Sequence, residues 1–180
     1  MSVTIREFLP TILFLGKFLG IYLVANLLYG AYVTSFEPGP DPLTSIVANQ
    51  TSEVLNALGW DTSTHNNTRH PTTEVALRSR DILSIYEGCN GVNVIIIFVA
   101  FLFSFGTPSR SLWWYAPLGL LVLHVCNLIR ITVLFWVSIN QPDFMYFLHK
   151  YFFTAGLYAV TFILWVFWVR MRTPASVVKA

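Results

Sequence analysis

Ile85-Tyr86-Glu87-Gly88-Cys89-Asn90-Gly91-Val92 is the stretch on which the reading of this chain turns. A long polar region precedes it and an apolar run, residues 94–105, follows it. A thiol is therefore placed where the chain enters lipid. Gly88 and Gly91 flank it, so the backbone can turn tightly there and another carbonyl group can come close. Of the two cysteines, only Cys89 has this setting. Cys126 lies in an apolar stretch, where a thiol is inert and serves packing, and a bridge between the two is disfavoured by that placement. Cys89 is the candidate nucleophile.

Composition sets the solvent. Of 180 residues, 55% are hydrophobic, 16% aromatic and only 11% charged, and mean hydropathy is +0.61. Soluble domains carry about 25% charged residues, so the chain reads as an integral membrane protein in contact with the lipid bilayer. A net charge of +2 gives no sign of a nucleic-acid partner. The expected fold class is all-α, a polytopic helical bundle forming a single domain over residues 1–180. It has about four spans, near residues 11–33, 90–105, 112–139 and 151–169, each set against a hydrocarbon core of about 30 Å. The second is close to the lower length limit. Lys17 sits near the inner end of the first span and can snorkel back to the surface.

Orientation follows from the basic residues beside the spans. Arg6, Arg110, Arg170, Arg172 and Lys179 flank one side, and Arg69, Arg78, Arg80 and Lys150 the other. The short flanks decide: Arg110 in the expected turn 106–110 and the Arg170/Arg172 pair place both termini in the cytoplasm. The loop 34–86, Cys89 and His149 are then extracytoplasmic. Within that loop, Glu37-Pro38-Gly39-Pro40-Asp41-Pro42 is a rigid turn. Asp41 reads as the N-cap and Pro42 as the first position of a helix. Leu43, Ile46, Val47, Val54, Leu55 and Leu58 fall on one face, which predicts an amphipathic helix that lies on the membrane or caps the bundle. Residues 61–73 read as a polar loop whose His65 and His70 lack metal-ligand company, so no metal or other cofactor is expected. Residues 73–85 are ambiguous, with Val75 and Leu77 alternating as in a short strand.

Arg130 is the anomaly of the third span. An arginine at a helix centre costs about 2.5–3.5 kcal/mol to insert, and such a residue usually marks a function. It lies about nine residues below the break at Asn140, or about 14 Å down. That depth calls for a wet cavity opening outward between spans two, three and four. Asn127, one turn away, can hold the guanidinium. His124 reads as an internal hydrogen-bonding residue. His149, just outside the fourth span, gains weight from sharing a side with Cys89, and Gly156 on the same face offers room for a neighbouring helix. Imidazole can take a thiol proton and return it to a leaving amine, and a fixed guanidinium can stabilise the anion formed on attack. The candidate catalytic residues are Cys89, Arg130 and His149. Asn127 and Glu87 are candidate substrate-binding residues, and Glu87 is weighed against a plain solvated carboxylate.

The Glu87-Gly88-Cys89-Asn90-Gly91 run, Asn127-x-x-Arg130 and His149 ahead of a span with Gly156 together resemble the exosortase/archaeosortase family, over residues 86–169. The resemblance is to a short, core-only bacterial form. It implies a membrane-embedded cysteine transpeptidase or protease of the bacterial plasma membrane. Such an enzyme cleaves the C-terminal sorting signal of exported proteins (a motif, a hydrophobic helix, a basic tail) and passes the new carboxyl end to an anchor. The small number of spans leaves room for an accessory membrane protein as partner. The competing reading is a non-catalytic assembly or scaffold protein in which Arg130 pairs helices.

Overall fold

Three helices are long and apolar enough to cross a bilayer: Phe8–Thr34, Arg110–Asn140 and Pro142–Arg172. They belong to a computed structural model that describes residues 5–105 and 109–172. Gly106, Thr107 and Pro108 of the expected turn, and Lys179, lie outside the described residues. The elements in order are α1 (Ile5–Thr34), α2 (Pro42–Ala57), β1 (Thr62–Asn66), β2 (Thr73–Leu77), β3 (Arg80–Ile85), α3 (Val92–Ser104), α4 (Arg110–Asn140), a single turn α5 (Met145–Phe147) and α6 (Phe153–Arg172). The helical membrane bundle is as expected. The sheet is an addition to the all-α reading.

Two apolar cores are stacked along α4. The first is the bundle itself: Val94, Phe98 and Leu102 of α3 meet Leu112, Tyr115 and Leu123 of α4 and Leu157 and Trp168 of α6. Helix α3 has only 13 residues, about 20 Å at 1.5 Å per residue, yet it touches α1, α4 and α6. Against α4, the Phe98 ring lies on Gly119 so tightly that a Cβ there would collide with it. At Gly156, by contrast, an added Cβ meets nothing within 4 Å. The small residue that seats a helix is therefore Gly119, and the expectation for Gly156 is corrected.

The second core lies beyond the bundle. Val47, Ala48 and Leu55 of α2, Val75 of β2 and Ile85 of β3 close on Ile131 and Phe135 of α4, with Cys89 at the margin. From Arg110 to Arg130 the helix already rises about 30 Å, one hydrocarbon thickness. Past Arg130, one face of α4 is the strut of a cap made by α2 and the sheet. Arg130 thus stands at the junction of the two cores, where α4 passes from the bundle into the cap.

Asp41 caps α2 as its sequence indicated, accepting from the backbone N–H of Leu43 at 3.0 Å and of Thr44 at 3.1 Å, with Pro42 in the first turn. The buried face differs from the expectation. Val47 and Leu55 are buried, but Leu43, Ile46, Val54 and Leu58 are exposed, and Thr44, Ala48, Thr51 and Ser52 turn inward instead. Small hydroxyl residues let α2 close onto the strands and still bond: Ser52 Oγ and Thr62 Oγ1 stand 2.9 Å apart.

The sheet is an antiparallel meander in the order β1-β2-β3. Strand β1 occupies part of the expected polar loop, pairing Thr62 with Leu77 through Asn66 with Thr73. Arg78 and Ser79, both at positive φ (47° and 70°), make the β2–β3 turn. A turn of that kind is normally announced by Asn-Gly. A bulge between Val75 and Ala76 interrupts the β2–β3 ladder, and β3 then runs directly into the cysteine turn.

Candidate active site

Residues Glu87–Cys89 form one 3-10 turn, closed by the Cys89 N–H donating to Tyr86 O at 2.8 Å. Gly91 follows at φ +84°, a left-handed conformation that favours glycine. A side chain there would also stand 3.1 Å from Asn127 Cγ. Asn90 fixes the turn in space. Its Oδ1 accepts from the Val92 N–H at 3.0 Å, and its Nδ2 donates to Tyr29 Oη at 2.7 Å and Thr44 Oγ1 at 3.0 Å. One buried amide therefore ties the first turn of α3 to α1 and α2.

Three groups from three elements meet at this turn. Cys89 Sγ lies 3.4 Å from His149 Nε2. Arg130 Nη2 lies 3.4 Å from the same nitrogen. Asn127 holds both neighbours: its Oδ1 accepts from Arg130 Nη1 at 3.3 Å, and its Nδ2 donates to Cys89 O at 3.0 Å. His149 sits in a π-helical turn, Leu148–Phe152, between α5 and α6. Such turns often occur at functional sites. Arginine has donors and no acceptor, so in this contact Nε2 is the acceptor and carries no proton. The same lone pair faces the thiol. Arg130 is 7% exposed, and its Nε–H is buried without a hydrogen-bond acceptor, so one of its donors is unused.

A cavity of about 470 Å³ opens on these groups. Cys89, Arg130 and His149 line it together with Leu83, Ser84 and Tyr86 on the sheet side and Met145 and Tyr146 on the helix side. Burial pushes the Cys89 thiol above its ordinary range, and the Arg130 guanidinium partly offsets this. The Tyr86 phenol is also raised, chiefly by the charge on the Cys89 sulfur beside it and then by burial.

The sequence-derived trio is thus brought together, and Asn127 holds the guanidinium as expected. Glu87 is different. It makes no hydrogen bond to His149 and does not line the cavity, and its charge opposes ionisation of the thiol. A cavity opens on Arg130 as expected, but no residue of α3 lines it: the sheet supplies the wall expected from the second span. Asn90, Tyr29 and Thr44 were not singled out from sequence, since none is unusual for its position. Tyr86 adjoins the cysteine in sequence, which was the available signal. His124 bonds Gln50 at 2.9 Å, away from the cavity, as an internal hydrogen-bonding residue. Cys126 and Cys89 are both free.

A model of the transmembrane exosortase family matches residues 11–169. The chain belongs to the transmembrane exosortase family. No curated protein and no solved structure matches it. The match runs from the first turns of α1 to near the end of α6, so it takes in both cores of this exosortase and all the groups around its cavity.

Proposed function

We propose that this exosortase is a cysteine transpeptidase or protease acting on the C-terminal sorting signals of exported proteins, with Cys89 as nucleophile, His149 as general base and then acid, and Arg130 as the electrostatic stabiliser. The observation that carries this is the pair of 3.4 Å contacts that the thiol and the guanidinium each make to His149 Nε2. A thiol held above its ordinary pKa by burial is protonated at rest and needs a base in contact to attack. Nε2 takes the Sγ proton as sulfur bonds to the substrate carbonyl carbon. The carbonyl oxygen becomes an anion, which the Arg130 guanidinium lining the cavity stabilises. Collapse breaks the C–N bond, the proton on Nε2 passes to the leaving amine, and a thioester forms on Cys89. With Nε2 protonated, two donors face each other, which favours handing the proton on. An amine or water then attacks the thioester with His149 again as base, releasing the new carboxyl end to an anchor or to solvent.

The capped end of the bundle is read as extracytoplasmic, with both termini in the cytoplasm and the substrate's basic tail held on that side. An accessory membrane protein fits beside the largely unburied α1, whose membrane-length part has 0% of its residues buried. The scaffold reading uses Arg130 only to pair helices, which leaves without a role the contact of the thiol to the same His149 nitrogen that Arg130 bonds. The test is Cys89→Ala and Cys89→Ser in cells at matched protein level. Exported proteins bearing a hydrophobic helix and a basic tail should accumulate uncleaved. Normal processing in both variants would support the scaffold.

A further inference from the structure

The sheet side of the cavity is the end of β3: Leu83, Ser84 and Ile85, then Tyr86. Strand β3 is an edge, for among the described residues no strand pairs with its other side. The register tells which of its backbone groups are free. At the β1–β2 turn the Asn67 N–H donates to Thr72 O at 2.9 Å. Opposed residues of an antiparallel pair exchange hydrogen bonds at every second position. Counting from that bond, His65 and Glu74 form a bonded pair. Glu74 therefore turns its backbone groups toward β1, and Thr73 and Val75 turn theirs toward β3. Thr73–Ile85 and Val75–Leu83 are then the bonded pairs of the second ladder. Ser84, between them, directs its N–H and C=O away from β2. Its side chain agrees, since the hydroxyl bonds Glu74 directly opposite, as the closer side chains of a non-bonded pair allow.

A main-chain donor and acceptor thus stand at the rim of a largely apolar cavity, with Cys89 in the turn that follows. Leu83, Ile131, Leu134 and Met145 supply the apolar walls. A lipid chain offers nothing to an unpaired N–H and C=O, and a helix has already used its own. An extended peptide offers both, at the two-residue period of the strand. We propose that β3 is a docking strand: the substrate's scissile segment is bound extended, as a fourth strand paired with Ser84, and this lays its carbonyl across Cys89 Sγ. The side chains of every second substrate residue enter the apolar walls, and the residue that pairs with Ser84 is not proline. The inference rests on the reading of Cys89 as nucleophile.

The test uses acetylated Val-Ala-Val vinyl sulfone, a thiol-reactive peptide whose double bond accepts the sulfur while its α-carbon takes the proton. It is compared on the full-length protein in native membranes with iodoacetamide, which has no backbone to pair. Methylating one internal amide nitrogen should slow peptide labelling of Cys89 by about tenfold, and methylating its neighbour by less than about threefold, the difference of roughly one hydrogen bond. Ser84→Pro removes an N–H that is not part of the β2–β3 ladder, the position where an edge strand tolerates proline. It should label about tenfold more slowly with the peptide than Ser84→Ala, which loses the same hydroxyl and keeps the N–H. Iodoacetamide should label both alike. Equal sensitivity of the two amides, or Ser84→Pro labelling with the peptide like Ser84→Ala, overturns the docking strand even where Cys89→Ala abolishes processing. Normal processing in Cys89→Ala instead overturns the nucleophile reading, whatever the amide pattern shows.

Discussion

Cys89 sits between opposing influences: burial disfavours its thiolate and Arg130 favours it. The sign follows directly. An iodoacetamide-labelling profile against pH should rise with a midpoint above the ordinary thiol value of about 8.5. Arg130→Gln should move that midpoint higher still, since it removes the largest of the influences that favour the thiolate. A midpoint below the ordinary value would mean that the thiol rests as an ion pair. His149→Ala should lower processing by about 10²–10⁴-fold, the usual weight of a positioned acid–base group. Arg130→Lys should also lose most activity, because a lysine cannot reach Asn127 and the cavity with one planar fork. Both are read as initial rates of signal cleavage at matched protein level. Asn90→Ala would leave Tyr29 and Thr44 without their buried donor, at a cost of about 1–3 kcal/mol, seen as a lower thermal midpoint. The meeting of Cys89 and Arg130 was legible in sequence because a cysteine at a lipid entry and an arginine in an apolar helix are rare. The groups that hold them were not, because an asparagine, a threonine and a tyrosine near a helix start are ordinary.

Elements place these groups more firmly than local propensity does. Gly119→Ala should destabilise the bundle by about 1–3 kcal/mol through the Phe98 ring. Gly156→Ala should be neutral or gain up to about 1 kcal/mol from helix propensity alone, and paired thermal or denaturant unfolding would separate the two. In the cap, burial works to raise the Glu74 carboxyl, but hydrogen bonds from Ser84, Thr72 and Asn67 outweigh it and hold the group below its ordinary value. Glu74 therefore contributes stability that is full above its unfolded pKa of about 4.5 and is lost as pH falls through the lower folded value. Glu74→Gln should remove this acid dependence of cap unfolding, followed by amide exchange of the strands. The sheet escaped the sequence reading because β1 alternates with threonine rather than aliphatic residues and because Arg78-Ser79 lacks the usual turn signature. The protein-facing side of α2 was not legible for a related reason: beside Val47 and Leu55 it is made of Thr44, Ala48, Thr51 and Ser52, while Leu43, Ile46, Val54 and Leu58 face outward.

At the scale of the whole molecule, α4 carries both cores and the site lies where they meet. Hydropathy found α4 and gave its length, but composition alone does not show that beyond Arg130 one face of the helix, with Ile131, Leu134 and Phe135, is buried by protein while Val133 and Trp136 stay exposed. The convergence of the cysteine turn, α4 and the π-helical turn on one nitrogen is likewise a tertiary fact. The central claim is that this convergence makes Cys89 an acylating centre. Its most direct test is mass spectrometry of the Cys89 peptide from His149→Ala cells, where deacylation is slowed. The expected result is a hydroxylamine-sensitive adduct carrying the trimmed carboxyl end of an exported protein, absent in Cys89→Ala. An unmodified Cys89 together with wild-type processing in Cys89→Ala would contradict the account.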